Sequence, residues 1–548
     1  MEQDILQETL FWNGRIYTVD AGQPWAEALL VRDGRIAAVG PLERVGAVAR
    51  PGCTREDLRG RFVMPGIHDA HIHLLWSGLK FRSECRLRPG AGARDIVEDL
   101  CTCAKCLGGR LSGWIVGGEV NPNLFAPGTL DRAFLDEAFP EAPVYLYDYS
   151  IHHAFVNSRA LAAAGIDATT ADPYGGRIVR RAGSSEPTGE LVERATWAVK
   201  RAIPPYPDEV YRDAVIWAVG MANRFGITSV QEASAALPEL QALAEMERRR
   251  ALSVRVAAHL VWQEESFGGG KSRDELERLI ATREEFASEH VRTDFVKCWL
   301  DGAPLPPHFT HCGIDPETGD VDYSKLLISE DELFEGLQRF DREGVTLKIH
   351  CGGEGAVRIA LNAIERVRDK QQSGITHEIA HAGFVHPQDL PRLAPLNAVA
   401  EMSPAIWHYQ GPEFAGLAAG FKFRSLRRAG ATMTIGSDWI ITPDPNLFPA
   451  LQGILERGAE SVDLADAIEM MTLNGARATA RDAQSGSLAP GKWADFIVLD
   501  RNLFEIPASA VGETRVLQTY FEGRRVFDAG SVKSAGVAAT GIQSGQHV

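Results

Sequence analysis

Apolar residues in the middle of the chain form short runs, and amphipathic segments separate most of them. Each run has the length of a buried strand and is bounded by Gly or polar residues. Segments such as DELFEGLQRFDREG and EGAVRIALNAIERVRDK place apolar residues three and four positions apart, which predicts helices. Eight strands that alternate with helices predict an α/β fold, a (β/α)8 TIM-like barrel. The eight runs are residues 63–75, 226–234, 252–261, 293–302, 345–351, 374–383, 397–403 and 431–440.

The two ends of the chain have a different pattern, in which apolar and polar residues alternate around Gly turns. LFWNGRIYTVD near the start and VLQTYFEGRRVFDAG near the end are examples, and such alternation predicts hairpins. We therefore predict one small β-domain from residues 1–62 and 484–530, and a barrel over residues 63–483. The gap from 80 to 215 is too long for a normal crossover and is predicted to be largely an insertion or capping subdomain. Residues 531–548 lack periodicity and are predicted to be a flexible tail.

Composition and charge narrow the classes of function. The chain has 548 residues, and 57 Lys and Arg against 73 Asp and Glu give a formal net charge of −16. A protein this acidic lacks the basic face needed to bind nucleic acid non-specifically. No apolar run reaches the roughly 18 residues of a membrane span, and the acidic start MEQDILQETLFWNG is unlike a signal peptide. We expect a small-molecule substrate, no nucleic acid and no membrane partner, and we leave a homodimer open.

The cysteines are few and unevenly placed. Eight in 548 residues do not form a secreted disulfide framework, which favours a cytoplasmic location. Cys101, Cys103 and Cys106 cluster in CTCAKC. Two interpretations stay open: a structural zinc site with Cys85 as the fourth ligand, or small residues that pack one side of a helix.

Histidines and an aspartate recur where the predicted barrel strands end. His71 and His73 alternate in HDAHIHLL, so both imidazoles face one side of the first strand and can bind one metal ion. Active sites in this fold lie at the C-terminal ends of the strands. Nitrogen and oxygen donors of this kind suit zinc, manganese or iron. Further candidates lie in or after later strands: Lys297, His350, His381 and Asp438.

These residues, in this order, resemble the core motif of the amidohydrolase superfamily. Several phrases resemble the branch that includes the N-substituted formamide deformylases: HHAFVNSRALAAAGI, EPTGELVE, VKCWLDG, LKIHCGGEGAV, GSDW and GSLAPGKWADFIVLD. The resemblance covers about residues 8 to 530. It implies the same barrel, with a β-sandwich domain made from both termini.

The resemblance also implies a binuclear metal centre. His71 and His73 would hold one divalent ion with Asp438, and His350 and His381 would hold the other. Lys297 would bridge the ions as a CO₂-derived carbamate. Zinc is expected first, one or two ions per chain, with manganese or iron as alternatives. A bridging hydroxide would attack the substrate, and Asp438 would shuttle the proton to the leaving group.

Two features of the sequence compete with this assignment. Lys348 lies two residues before His350 and so on the same face of its strand, which makes it a second candidate for the bridging lysine. Lys297 could instead form an ion pair with Asp301. We favour Lys297 as the bridge because it precedes the His, His, Asp order. HEIAH, residues 377–381, fits a zinc-protease pattern with Glu401 as a third ligand, but that pattern requires a helix. The flanking glycines favour a strand, on which we expect His377 to lie deeper in the barrel than His381.

The substrate pocket is less well specified. Candidate contacts are Trp76, His152, Asp301 and Trp439. The sequence departs from the branch at Gly117–Asn121, at Gln231 and at Met402–Pro404. The resulting hypothesis is a metal-dependent hydrolase that cleaves an amide-like or formamide-like C–N bond of a small molecule. A lactone or ester hydrolase or a deaminase on the same centre, and a non-catalytic binding protein, remain alternatives.

Overall fold

An eight-stranded parallel sheet forms the centre of the protein. The computed structural model describes residues 8–107, 112–121, 124, 130–263, 267, 269–306, 308–370, 373–404, 417 and 420–531. Each strand of the sheet is hydrogen-bonded to the next in chain order. A bridge between Ile72 and Trp439 joins the first strand to the segment after the last, which closes the barrel. The strands are β1 (Ile67–Ile72), β2 (Ile227–Ala235), β3 (Arg255–Val261), β4 (Val291–Trp299), β5 (Thr346–His350), β6 (His377–Ala380), β7 (Ala398–Met402) and β8 (Met433–Ile435).

The predicted α/β barrel is therefore confirmed, and each of the eight predicted runs overlaps one of these strands. The strands are buried on both faces, which is why they appear as nearly continuous apolar runs. The helices Glu330–Arg342 and Glu354–Lys370 cover neighbouring parts of the sheet with apolar faces. The barrel and its helices share the largest cluster of buried side chains.

Helices connect most of the barrel strands, and further helices lie in the segments outside the barrel. Among the described residues, no helix combines the length and apolar character that crossing a membrane requires. The helices are Leu42–Val48, Leu74–Arg82, Ala93–Leu107, Ala133–Ala138, Ser158–Ala163, Thr196–Ala202, Asp208–Arg224, Leu237–Arg248, Arg273–Ala281, Glu330–Arg342, Glu354–Lys370, Phe423–Arg428, Phe448–Leu455, Leu464–Met470 and Leu473–Ala478.

Strands from the two termini pair with each other. Phe62–Pro65 is antiparallel to Phe496–Leu499, so one sheet draws on both ends of the chain. Its six strands are Arg524–Asp528, Val516–Phe521, Phe496–Leu499, Phe62–Pro65, Arg15–Tyr17 and Trp25–Ala26. A second sheet has four strands, Arg35–Gly40, Ala28–Arg32, Glu8–Trp12 and Thr54–Asp57. The exact domain limits stay a prediction, and the predicted tail lies beyond the described residues after Ser531.

The long segment between β1 and β2 carries a sheet of its own. One of its strands lies within APVYLYDYS and spans Val144–Asp148. The six strands are Gly176–Arg180, Pro187–Glu193, His153–Val156, Val144–Asp148, Ile115–Val120 and Cys85–Arg86. We call residues 80–215 the insertion.

The cysteine cluster has a different structure from the zinc site considered above. Cys85, on the edge strand of the insertion sheet, forms a disulfide with Cys103 on helix Ala93–Leu107, and their Cα atoms are 5.6 Å apart. The zinc interpretation used the thiols of Cys85 and Cys103 as ligands. It is wrong, because the helix places Cys103 directly beside the strand and the two sulfurs are bonded to each other. Cys101 is free and exposed. Disulfides are uncommon in a reducing cytoplasm, so this pair does not support the predicted location.

Candidate metal centre

Four histidine rings meet at the C-terminal end of the barrel. His71 lies on β1 and His73 follows it, His350 ends β5, and His381 follows β6. The ring centres of His71 and His381 are 4.4 Å apart, those of His350 and His381 4.6 Å, and those of His71 and His73 5.3 Å. Strands that are distant in sequence therefore bring four predicted ligands together.

Asp438 faces these rings across a small gap. Its Oδ1 lies 3.4 Å from His73 Nε2 and 3.8 Å from His71 Nε2, and its Oδ2 lies 4.0 Å from His381 Nδ1. Two donors that are each about 2 Å from a tetrahedral ion lie roughly 3.3 Å from each other. The spacing between these donor atoms thus fits a divalent cation better than direct hydrogen bonds.

His381 and Asp438 share an unusual backbone conformation. Both have positive φ values, 56° and 49°, just after their strands end. Histidine and aspartate tolerate this left-handed region better than most residues. The backbone thereby turns both side chains back toward the centre of the barrel mouth.

The imidazoles are held in the form that binds metals. Burial, followed by neighbouring positive groups such as Lys297, keeps the pKa of His71 and of His350 well below the ordinary value. Burial and the adjacent His350 do the same to the pKa of His381. These rings are therefore neutral at physiological pH, as a metal ligand requires.

Glu401 is a residue of this site that the sequence did not assign correctly. His71 Nδ1 is hydrogen-bonded to Glu401 Oε2 at 2.6 Å, which leaves His71 Nε2 facing Asp438. Burial raises the pKa of Glu401 to about 8. Carboxylates that hold ligand histidines in this way fix the tautomer and orientation of the ring. The available signal was a single acidic residue inside the apolar strand VAEM.

The other candidate ligand histidines also have oxygen partners. His73 Nδ1 lies 2.6 Å from Ser234 Oγ, and His381 Nδ1 lies 3.2 Å from Ser403 Oγ. His350 Nε2 donates to the carbonyl oxygen of Gly302 at 3.4 Å. Each ring thus has a partner that restricts its orientation.

Lys297 and Lys348 are register partners on β4 and β5, but their surroundings differ. Lys348 Nζ donates to Ala70 O and to Gln231 Oε1, both at 2.6 Å, and lies 3.3 Å from Glu378 Oε2. Lys297 Nζ is buried and has no hydrogen-bond partner among the described residues. Burial and the charge of Lys348 lower the pKa of Lys297 to about 8. An unpartnered amine of low pKa fits a lysine that reacts with CO₂.

Asp301, the alternative partner considered for Lys297, has other hydrogen-bond partners. Asp301 is fully buried, and its carboxylate accepts hydrogen bonds from the backbone N–H groups of Cys312, Gly352 and Gly353. The ion pair between Lys297 and Asp301 is therefore not formed. Asp301 instead holds two loops together beside His350.

The protease pattern HEIAH is not helical. His377–Ala380 is strand β6, so the zinc-protease interpretation is wrong. His377 does not lie deeper in the barrel either, because its Nε2 donates to Asp341 Oδ1 on helix Glu330–Arg342 at 3.1 Å. Glu378 has the inward position and lies next to Lys348 and His259. His381 follows the strand, so strand alternation does not relate it to His377.

A cavity opens above the histidines. Its lining contains the six predicted ligands together with His152 from the insertion. Among the described residues, Trp76, Asp301 and Trp439 are not part of that lining. Trp439 is fully buried and stacks on Phe81 at 5.9 Å. Most other lining residues are apolar: Ile151, Phe267, Trp299, Leu305, Phe384, Leu417, Phe421 and Ile441.

Comparison with known sequences and structures connects this site to a family. The sequence model described as the amidohydrolase family matches residues 55–527. The chain belongs to the amidohydrolase family. It is therefore a hydrolase of the class that acts on carbon–nitrogen bonds.

Relatives match over nearly their whole length. An N-substituted formamide deformylase of Arthrobacter pascens is 29% identical, over 94% of this chain and 98% of its own. Protein LONG AFTER FAR-RED 3 of Arabidopsis thaliana is 27% identical, over 95% and 92%. A metal-dependent hydrolase of Pyrococcus horikoshii superposes with a TM-score of 0.69 at 21% identity, over 92% and 99%. The structural likeness shows that the fold is shared.

The positions at which the chain departs from its branch have local partners. Gln231 accepts a hydrogen bond from Lys348, so it helps keep that lysine away from the metal centre. Glu119 lies 3.1 Å from the buried Lys80, which donates to the carbonyl oxygen of Ile440 near Asp438. In this family member, these substitutions therefore support the barrel mouth without lining the cavity.

Proposed function

We propose that this protein is a metal-dependent hydrolase that cleaves the C–N bond of a small N-substituted amide, with N-substituted formamides as the leading class. The observation that carries the proposal is the convergence of four imidazoles, Asp438 and a Lys297 that has no hydrogen-bond partner among the described residues on one gap. The near full-length similarity to an N-substituted formamide deformylase supports the substrate class.

The donor set fits two divalent ions. His71, His73 and Asp438 would hold one, since their donor atoms lie within 4.8 Å of one another. His350 and His381 would hold the second, and Lys297 would bridge the two as its carbamate. Zinc suits these donors, and manganese or iron are alternatives. When bound, such ions supply a water of low pKa and polarise the substrate carbonyl.

Asp438 is the residue proposed to move the proton. Its carboxylate is buried, faces the imidazoles and also lines the cavity. It can accept a proton as the nucleophile forms and deliver it to the leaving nitrogen, which amine departure requires. His71 is kept in orientation by Glu401, and His73 by Ser234.

The cavity favours an uncharged substrate with an apolar substituent. Phe267 and Trp299 stack with their ring centres 4.8 Å apart and form one wall. Among the described lining residues, Lys297 and Asp438 are the Lys, Arg, Asp or Glu side chains, and both belong to the proposed metal centre. A charged substituent would lose its hydration without gaining a partner here.

A substrate panel tests the proposal. Zinc-loaded and manganese-loaded enzyme is assayed with N-substituted formamides, longer N-acyl amines, ureas and lactones, each with an apolar and a carboxylated substituent. We expect the highest kcat/KM for the apolar formamides and at least tenfold less for the carboxylated ones. Turnover of the lactones without turnover of any amide would contradict C–N cleavage.

A further inference from the structure

Residues 438–441 form a tight turn at the edge of the candidate metal centre. The N–H of Ile441 donates to the carbonyl oxygen of Asp438 at 3.0 Å, which closes the turn. Asp438 has a φ of 49°, and Ile441 lines the cavity. The orientation of the turn therefore determines where the carboxylate of Asp438 lies.

Two side chains of one helix hold the middle of this turn. The Ser77 hydroxyl donates to the carbonyl oxygen of Trp439. Lys80 Nζ donates to the carbonyl oxygen of Ile440 at 2.6 Å. Ser77 and Lys80 are both buried and lie three positions apart, so they are on the same side of helix Leu74–Arg82. Each of the two central carbonyl groups of the turn thus has a donor from the helix.

The insertion sheet supplies the negative partner of Lys80. Lys80 Nζ lies 3.1 Å from Oε1 of Glu119, on strand Ile115–Val120. The other carboxylate oxygen of Glu119 accepts hydrogen bonds from the Arg86 guanidinium at 3.3 Å. Lys80 is fully buried, and a buried ammonium group is stable only with such a partner. One side chain thus connects the insertion sheet to the turn that carries Asp438.

The strand backbone is irregular at Glu119. Its φ is 74°, in the left-handed region that residues other than glycine seldom adopt. The register with strand Val144–Asp148 passes from Gly118 to Val120, so Glu119 is the extra residue of a bulge. Such bulges redirect a side chain and recur next to active sites. The bulge here directs the carboxylate to Lys80, which indicates a constraint on where that carboxylate lies.

We propose that Lys80 is a positioning residue for Asp438, and that Glu119 is the contact through which the insertion sheet acts on it. The inference rests on the proposed function, in which Asp438 is both a metal ligand and the proton shuttle. It adds two residues that do not line the cavity. Without these contacts the turn can shift, and a displacement of about 1 Å at a reacting group can lower a rate about 100-fold.

Zinc affinity tests the position of Asp438 without an assay of turnover. Lys80→Met keeps the apolar stem of the side chain and removes the donor. In competition with a chelator, we expect zinc to bind this variant about tenfold more weakly than the wild type, as for other residues that orient a metal ligand. Arg86→Met is the matched control and should bind zinc like the wild type, because Arg86 pairs with the same carboxylate from an exposed position.

The leaving group reports on the proton that Asp438 delivers. N-(2-phenylethyl)formamide releases an alkyl amine that must be protonated as it departs, whereas N-(4-nitrophenyl)formamide releases a stabilised nitroaniline that depends less on an acid. At saturating zinc, we expect Lys80→Met to lower kcat about tenfold for the first substrate and less than about threefold for the second. A variant that only loses stability lowers both values equally, because the fraction of active enzyme is the same for each substrate.

Three further variants keep the test valid if Lys80→Met does not fold. Ser77→Ala removes the other donor to the turn and should change the zinc affinity and the ratio of the two kcat values in the same direction. Glu119→Ala should do the same, and Glu119→Gln, which keeps an oxygen for Lys80, should recover part of both. Circular dichroism and the melting temperature are measured for every variant.

Wild-type zinc affinity together with an unchanged kcat ratio would overturn the inference, whether in folded Lys80→Met or in both Ser77→Ala and Glu119→Ala. An equal effect of Arg86→Met would also overturn it. A failure of the proposed function differs from these outcomes, because the wild type then hydrolyses neither formamide while the zinc affinities still report on the position of Asp438.

Discussion

At the residue scale, Lys297 and Lys348 show how position alone can divide two similar side chains into different roles. Both are buried on neighbouring strands at the same level. Lys348 has a carboxylate and two oxygen acceptors, whereas Lys297 Nζ has no oxygen partner among the described residues and lies over the Trp299 ring at 5.0 Å. A buried charge is stable only with partners, so the first lysine stabilises the fold and the second destabilises it.

This contrast predicts opposite effects on stability. In metal-free protein, Lys348→Met leaves Glu378 buried without its cation and should lower the free energy of unfolding by about 3–5 kcal/mol. Lys297→Met removes an unpartnered amine and should leave the protein at least as stable as the wild type. Urea unfolding after chelation measures both, and equal losses in the two variants would contradict the assignment.

The pKa of Lys297 gives this effect a pH dependence. Its pKa in the folded protein is about 8, below the ordinary value near 10.4. Between these values the unfolded chain binds more protons, so the stability of the metal-free wild type rises with pH across this window. The advantage of Lys297→Met should be largest below pH 8, about 3 kcal/mol, and should shrink toward pH 10. A pH-independent difference in unfolding experiments at pH 7 and pH 9.5 would contradict the shift.

Asp438 can be tested without disturbing the fold. Asparagine has the same shape and tolerates the left-handed φ of 49° at this position. Asp438→Asn should therefore keep the melting temperature of the metal-free protein but lower kcat by about 100-fold or more, since the amide cannot move the proton. Asp482→Asn, at an exposed position, is the control. Near-normal turnover of Asp438→Asn would refute its role.

Site positions were predictable from the sequence only where a strand located the side chain. The positions of the candidate ligands His350 and His381 follow from apolar runs that lead to a histidine, and that of His71 follows from alternation along β1. Glu401 could not be placed, because its contact with His71 crosses the barrel between β7 and β1. The direction of His377 depends on which face of β6 meets helix Glu330–Arg342, and the apolar pattern does not distinguish the two faces.

At the element scale, the joint between β8 and β1 closes the barrel and carries two residues of the candidate metal centre, His71 and Asp438. Asp69 Oδ1 accepts hydrogen bonds from the backbone N–H groups of His71 and Ser437, at 3.1 and 3.0 Å. The N–H of Asp438 donates to the carbonyl oxygen of His71 at 2.7 Å. The two strands are thus in contact through the residues that hold the proposed ion.

Gly436 sets the separation of these strands. A Cβ atom there would lie 2.4 Å from His71 Cβ and 2.6 Å from His71 N, too close for any side chain. Gly436→Ala should force the strands apart, with a loss of about 1–3 kcal/mol in stability and weaker metal binding. Gly46→Ala is a matched control, because that helical position has open space around it. Thermal unfolding with and without zinc compares the two, and a Gly436→Ala protein that melts and binds zinc like the control would contradict this account.

The strands themselves were predictable because a sheet buried on both faces produces apolar runs of a characteristic length. The strands of the insertion sheet were less predictable. Only Val144–Asp148 has such a run, whereas Cys85–Arg86 is two residues long and gives no pattern. The disulfide to Cys103 depends on that short strand lying beside the helix, which spacing in the sequence does not show.

At the scale of the whole molecule, the chain combines a barrel that holds the ligands with an insertion that completes the cavity. The net charge of −16 argues against non-specific binding of nucleic acid. It does not give the electrostatic field at the candidate site, which bound dications would dominate. We therefore expect substrate choice to depend on the apolar lining of the cavity and metal choice to depend on the barrel residues.

The central claim is that turnover requires metal at the barrel mouth. The most direct measurement is a titration of chelated, metal-free enzyme with zinc, in which hydrolysis of an apolar N-substituted formamide and bound metal are followed together. The account predicts no turnover without metal and a rise that reaches its plateau at two ions per chain. Full turnover by protein that contains no metal by elemental analysis would contradict it.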